Sequence, residues 1–214
     1  MTGTYAKVAA TGPGYFGSAH SGKAVSIGDF HVPADFTNFD ITRDWSATSG
    51  GAQVVDFDGP DYSPQCGPDG AFDTSLSTGW GSTTGNNNGD PTNVFVPKTI
   101  TVKLPQPVDI DSFQVDPTAT CGDGGSASTG GYTIETSPDG NTFTEAAHGT
   151  FVAADRGHLN EVDLTAGADS VQYVRFTIES NQTPDFATNC PGGAFSGCAF
   201  TDLTELAVVG SPSP

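Results

Sequence analysis

Apolar and polar residues alternate at every second position over much of the chain, the period of half-buried strands. The clearest run is 98–104, with three aliphatic residues on one face and both of its lysines expected on the other. Pro105-Gln106-Pro107 is expected to end this strand, and the pattern resumes over 109–116. An opening strand or pair of strands is predicted near 45–57, and further strands at 131–136, 151–153, 159–164, 171–178 and 203–209.

The strongest local signal is a hairpin. Ser137-Pro138-Asp139-Gly140-Asn141 is a tight-turn sequence between the strand at 131–136 and a return strand at 142–145. Many short strands, 28 glycines and no convincing helical periodicity predict an all-β fold, an antiparallel β-sandwich.

The N-terminal part differs from the rest. Residues 1–42 contain three or four short alternating segments, too few for a sandwich of their own. Within them, GTYAKVAATGPGY resembles the closing half of a carboxypeptidase-regulatory-like β-sandwich. We therefore predict a short β segment at 1–42, a main domain at 43–210 and a tail at 211–214.

The chain is strongly acidic, with 25 Asp and Glu residues against seven Lys and Arg residues and a net charge of −18. The few basic residues are scattered, which disfavours nucleic acid and anionic membrane surfaces as partners. A solvated acidic surface explains most of this charge without any binding site.

The cysteines Cys66, Cys121, Cys190 and Cys198 show no zinc-ligand spacing. They favour two disulfides and thus a secreted, extracellular protein. Of the three pairings, we prefer Cys66–Cys121 with Cys190–Cys198, because the second pair lies within one Pro/Gly-rich loop.

The segment GAFDTSLSTGWG, residues 70–81, places a carboxylate among hydroxyls in a turn-rich stretch. Asp73, Ser75, Thr78 and backbone carbonyls near Ala71 could form an oxygen cage for a hard cation. The alternative is an Asx or Ser/Thr turn in which the same groups cap local backbone amides.

Several short motifs follow one another along the chain, and each is similar to a known family pattern. AFDTSLSTGW at 71–80 is similar to the pattern A-x-D-G-x-x-x-T-x-W, and YTIETSPDG at 132–140 to Y-x-I-x-x-S-x-D-G. YVR at 173–175 and LTELAVVG at 203–210 match a YVR strand and an L-x-E-L-x-V-x-G close. From Trp45 to Gly210 the chain thus resembles a discoidin domain, also called the coagulation factor 5/8 type C domain, which overlaps with galactose-binding-like carbohydrate-binding modules.

This resemblance implies a jelly-roll sandwich with a structural calcium ion beneath its first loop. Carried over by position, the ligands would be backbone oxygens near Ala71, the Asp73 side chain, the Thr78 oxygens and the Glu205 carboxylate. Ser75 stands where family members often have a second acid, so the implied calcium site is weakened. The arrangement also resembles C-terminal regions of secreted actinobacterial fungalysin-type metallopeptidases, whose catalytic domain would lie outside this chain.

The resemblance also implies ligand binding by loops at one end of the sandwich. Exposed aromatic rings beside Asn and Asp side chains suit a sugar, with one ring face for stacking and hydroxyls for hydrogen bonds. The alternative is that the phenylalanines pack inward and anchor a long loop. The candidate ligand-binding residues are Tyr62, Asn87, Asn88, Asp90, Asp123, Phe186 and Phe195.

Three functions compete on this sequence. The leading hypothesis is a non-catalytic extracellular module that binds a neutral carbohydrate or a protein surface and targets a parent secreted hydrolase in cis. The second is a structural C-terminal spacer without a ligand of its own. Catalysis is disfavoured, because the acid pairs Asp56/Asp58 and Asp109/Asp111 are better explained by turns and a solvated strand face.

Overall fold

A computed structural model describes residues 44–85, 94–190 and 196–214. The predicted N-terminal β segment and the candidate residues Asn87, Asn88, Asp90 and Phe195 lie outside these ranges. The fold below is therefore that of the main domain.

The described residues form nine strands and very little helix. The α-helix α1 is a single turn, Phe186–Asn189, and short 3-10 turns occur at Thr48–Gly50, Pro68–Phe72, Gly125–Ala127, Ala153–Asp155 and Ser196–Cys198. No helix in the described part of the chain has the length and apolar character needed to cross a bilayer. The strands are β1 (Gln53–Phe57), β2 (Trp80–Thr83), β3 (Lys98–Asp116), β4 (Gly131–Ser137), β5 (Thr144–Thr150), β6 (Asn160–Asp163), β7 (Val171–Ile178), β8 (Phe200–Leu203) and β9 (Glu205–Pro212).

The pairs formed among these nine strands are antiparallel, as predicted. Five strands follow the order β1-β3-β7-β4-β5, while β6 and β9 pair with the second half of β3. The predicted hairpin is present as β4–β5, with Thr136 opposite Thr144 across the turn. The prediction of an all-β antiparallel sandwich is confirmed.

The expected break at Pro105 is wrong, since β3 runs through it. The register of β3 against β7 skips from Lys103 to Val108, so Pro105, Gln106 and Pro107 are exposed and face no ladder partner there. A proline has no backbone N–H, and this loss weakens a strand only where a neighbouring strand would accept that hydrogen bond. The Pro-Gln-Pro segment is therefore the corner at which β3 leaves β1 and β7 and joins β6 and β9.

Aliphatic and aromatic side chains between these layers form one core. Trp45, Trp80 and Phe113 are all buried in it. The outward placement of Lys98 is wrong: it has the same parity as Ile100, is 1 % exposed, and its ammonium donates to the Gly85 carbonyl. Burial lowers its pKa, while nearby Asp58 acts in the opposite direction.

Two strands were not predicted from the sequence, and one predicted strand is absent. β2 and β8 form a separate two-stranded sheet whose buried positions include Ser82, Thr83, Thr201 and Asp202, so no apolar alternation marks them. Residues 151–153 form no strand, because the chain turns into a 3-10 helix at Ala153.

Four connections meet where β7 ends and where β3 and β4 begin. They comprise residues 58–67, 117–130, 151–159 and 179–190, and we call this region the loop end. The disulfides Cys66–Cys121 and Cys190–Cys198 are both present, in the preferred pairing, and both hold loop-end segments.

Candidate functional site

Asp73 lies in the turn that the sequence singled out. One carboxylate oxygen accepts the Ser75 amide at 2.9 Å and the other accepts the Thr78 hydroxyl at 2.7 Å. The Ser75 hydroxyl in turn accepts the Ser77 amide at 3.1 Å. The Asx-turn alternative therefore describes part of this geometry.

Glu205 supplies the feature that an Asx turn does not explain. It is 2 % exposed, and neither of its carboxylate oxygens has a hydrogen-bond partner among the described residues. Burial, with Asp44 and Asp73 nearby, raises the pKa of Glu205 to about 9. The backbone amides of Ser75 and Thr74 counteract part of this shift, although neither forms a hydrogen bond of normal geometry.

A buried, unpartnered carboxylate beside a second carboxylate suits a cation better than either acid alone. An unpaired buried charge is costly, and a divalent ion would remove that cost. No group of three or more His, Cys, Asp or Glu side chains with metal-ligand geometry occurs in the described ranges. Hydroxyl groups such as that of Thr78 and backbone carbonyls near the buried Ala71 would have to complete the shell.

Two residues of this region were not anticipated. Asp44 accepts hydrogen bonds from Ser46 and Val208 and lies near enough to raise the pKa of Glu205. Thr74 has φ of 66°, in the left-handed region that favours glycine. The signal for Thr74 was available, because the similar pattern A-x-D-G has glycine at that place.

The candidates Tyr62 and Asp123 come together at the loop end. Tyr62 is 37 % exposed and contacts Phe200 edge-on, with ring centroids 6.4 Å apart. Burial and the Asp123 carboxylate raise the pKa of the Tyr62 hydroxyl. Beneath them lies Asp202, fully buried, whose pKa is well above normal because of burial first and Asp123 second.

Phe186 lies in α1 and is half-buried. Its ring contacts Phe95 edge-to-face at 5.6 Å, and Phe95 packs against the main core. This contact fits the anchoring alternative better than an exposed stacking platform.

A cavity of about 350 Å³ opens at the loop end between the end of β5 and the connection after β7. This size lies at the lower end of the range for small-molecule sites. Its lining combines apolar and hydrogen-bonding groups: Gly130, Thr150, Phe151, Val152, Ala153, Arg156, Ser180, Asn181, Gln182, Thr183 and Pro184. The sequence interpretation did not select these residues, since Arg156 and Gln182 are 26 positions apart and match no motif.

One lining residue is unsuitable for modification. Asn181 begins the sequon Asn181-Gln182-Thr183, yet it is 7 % exposed and its amide donates to the carbonyls of Gly197 and Phe200. The folded domain therefore leaves no room for a glycan at Asn181.

One acid of each pair considered for catalysis has a structural role. Asp58 accepts the amide and hydroxyl of Thr99 at 3.0 and 2.9 Å. Asp109 accepts the Ser170 amide at 2.8 Å and also the Ser213 hydroxyl. Local hydrogen bonds thus account for Asp58 and Asp109.

Comparison with protein families supports the resemblance drawn from the motifs. The model of the F5/8 type C domain matches residues 45–190, most of the described domain. The chain belongs to the F5/8 type C domain family. A search of curated proteins found no match.

Solved structures with the same fold include carbohydrate-binding modules. CBM32-3 from a family 31 glycoside hydrolase of Clostridium perfringens is 20% identical, with a TM-score of 0.52 over 76% of this chain and 93% of that chain. CpGH89CBM32-5 of the same organism was solved in complex with GalNAc-β-1,3-galactose. It is 20% identical, with a TM-score of 0.51 over 74% of this chain and 95% of that chain. A putative chitobiase fragment from Bacteroides thetaiotaomicron is 14% identical, with a TM-score of 0.58 over 84% of this chain and 98% of that chain. At these identities, the similarity of this F5/8 type C domain to each neighbour is one of fold.

Proposed function

We propose that this F5/8 type C domain is a non-catalytic, extracellular carbohydrate-binding module that holds a parent secreted hydrolase near its substrate. The observation that carries the proposal is the loop-end cavity, which combines the guanidinium of Arg156 and the hydroxyls of Ser180 and Thr183 with the apolar side chain of Val152. A sugar needs this combination, because its hydroxyls require hydrogen bonds and its C–H faces require apolar contact. Two disulfides at the same end fit an oxidising, extracellular compartment.

The test uses a glycan array followed by a steric block of the cavity. Ala153 is an exposed lining residue, so Ala153→Trp would fill the cavity mouth without entering the core. Ala166 is also exposed but lies in the connection between β6 and β7, away from the loop end, and Ala166→Trp is the matched control. We expect array binding to fall at least about tenfold for Ala153→Trp and to be unchanged for Ala166→Trp.

Two results would overturn this proposal. Retention of every array signal by Ala153→Trp would place carbohydrate binding elsewhere. Absence of any glycan signal, together with loss of parent-enzyme stability when the domain is deleted, would favour a structural spacer.

We further propose that calcium occupies the region between Asp73 and Glu205 and supports the fold rather than the chemistry. The unpartnered Glu205 carboxylate is the supporting observation. A ligand that binds only the folded state raises stability with its concentration, so calcium should raise the melting temperature and EDTA should reverse the rise. An unchanged melting temperature at millimolar calcium would contradict the proposal.

A further inference from the structure

Arg156 has no acidic partner within the part of the chain that the structure describes. Among the described residues, ion pairs join Arg175 to Glu135 and His148 to Glu145, and Arg156 takes part in neither. A guanidinium is always charged, so the cavity carries a fixed positive charge.

Neutral groups hold this guanidinium in place. The Gln182 side-chain oxygen accepts from Arg156 Nε at 2.8 Å and also from Nη2, while the Gln182 amide donates to the Thr129 carbonyl at 2.8 Å. Nη1 packs over Gly125, where an added Cβ would lie only 2.2 Å away. The Nε side of the guanidinium is thus held by an uncharged amide, and within the described ranges the Nη1 hydrogens donate to no acceptor.

Two acids close to this site accept backbone amides instead. The Asp155 carboxylate accepts the Val152 amide at 2.7 Å within its own turn. Asp116 accepts the amides of Thr118 and Gly157 at 3.1 and 3.3 Å. The residues that line the cavity include no Asp or Glu.

We propose that the cavity takes a sugar that carries a carboxylate, such as a uronic acid, and that Arg156 binds this carboxylate. The inference rests on the carbohydrate-binding function proposed above and names its ligand class. Charge-assisted bonds from a guanidinium fork to a carboxylate are stronger than its bonds to sugar hydroxyls. The net negative charge opposes approach only weakly, because charges beyond about 8 Å are screened at physiological ionic strength.

Matched sugar pairs test this ligand class. The full chain is titrated calorimetrically with D-galacturonic acid against D-galactose, and with D-glucuronic acid against D-glucose. We expect at least one acid to bind about tenfold or more tightly than its neutral counterpart. Arg156→Gln should abolish this difference between the acid and its neutral counterpart.

Three further variants distinguish the charge of Arg156 from the geometry and location of its guanidinium. Arg156→Lys keeps the positive charge but loses the planar set of guanidinium N–H donors, and should retain only part of the preference for the acid. Gly125→Ala should displace the guanidinium and weaken acid binding, with circular dichroism and the melting temperature confirming the fold. Lys103→Gln removes one positive charge on the outer face of β3, near Tyr173, and should change nothing.

The outcomes distinguish the two proposals. Equal affinity for acid and neutral sugars, or an acid preference that survives Arg156→Gln, overturns the acidic ligand and leaves the carbohydrate-binding module intact. Binding of neither sugar of a pair, together with a glycan array that shows no signal, overturns both.

Discussion

At the scale of single residues, the acidic turn contains a strained position. Thr74 has a φ of 66°, and its side chain is exposed. It is the residue enclosed by the hydrogen bond from the Ser75 amide to the Asp73 carboxylate. A β-branched residue in the left-handed region loses about 1–2 kcal/mol relative to glycine. Thr74 therefore stores strain beside the proposed calcium site.

Thr74→Gly should relieve this strain. We expect the free energy of unfolding, measured by chemical denaturation, to rise by about 1 kcal/mol. Ser77→Gly is the control, because Ser77 lies in the same exposed turn without a positive φ and should lose stability or stay unchanged. Equal effects of the two substitutions would contradict the strain at position 74.

Buried acids give the domain a defined pH dependence. Glu205, with its pKa raised to about 9, and Asp202, with its pKa well above normal, keep protons in the folded state that the unfolded chain releases. Wherever the folded state binds more protons, stability falls as pH rises. In EDTA, the contribution of Glu205 is therefore complete below about pH 4.5 and declines up to about pH 9.

Glu205→Gln tests this behaviour and the calcium site together. The neutral amide removes the buried ionisable group, so in EDTA at pH 8 the variant should be more stable than the native chain by roughly 2 kcal/mol. The stabilisation by calcium should disappear in the variant. A variant that is less stable in EDTA and still responds to calcium would contradict both expectations.

At the scale of elements, β3 joins the two layers. Its first half pairs with β1 and β7, and its second half pairs with β6 and β9. Disturbing either half should therefore destabilise the whole domain in one transition rather than one layer alone.

Ile100→Val tests the first half of β3. Ile100 is fully buried, and loss of one methylene should lower the free energy of unfolding by about 1 kcal/mol. Tryptophan fluorescence and circular dichroism should report coincident transitions. Gln106→Ala at the exposed corner should change stability by less than about 0.5 kcal/mol. Separate transitions for the two probes would show that the layers unfold independently.

Sequence reasoning succeeded where side-chain alternation reports directly on burial. The β4–β5 hairpin and β7 were predicted because turn residues and apolar alternation agree there. It failed for β2 and β8, whose buried side chains are largely polar, and at 151–153, where Phe151 is buried by stacking on Tyr132 rather than by strand pairing. It also failed for Arg156 and Gln182, since only the folded chain brings them together.

At the scale of the whole molecule, covalent links hold the loop end together. Cys66–Cys121 joins the connection after β1 to the connection after β3, 55 residues away, and Cys190–Cys198 closes a loop of separation 8. In the chain-entropy model, the stabilisation by a disulfide grows with the length of the loop it closes.

Removing the bridges separately should show this difference. We expect the double variant Cys66→Ser/Cys121→Ser to lose about 4 kcal/mol and Cys190→Ser/Cys198→Ser about 2.5 kcal/mol, measured by denaturant unfolding. The second bridge ends next to Gly197, whose carbonyl accepts the amide of the cavity-lining Asn181, so its removal should weaken glycan binding more than its stability loss suggests. A larger stability loss from the shorter bridge would contradict the entropic account.

The buried sequon has a practical consequence for production. Hosts that glycosylate secreted proteins attach the oligosaccharide to nascent chains, before Asn181 can donate its amide to Gly197 and Phe200. A modified chain would be unable to close the segment after β7, so part of the yield from such a host should aggregate or be degraded. Bacterial expression into an oxidising compartment avoids this loss and still forms both disulfides.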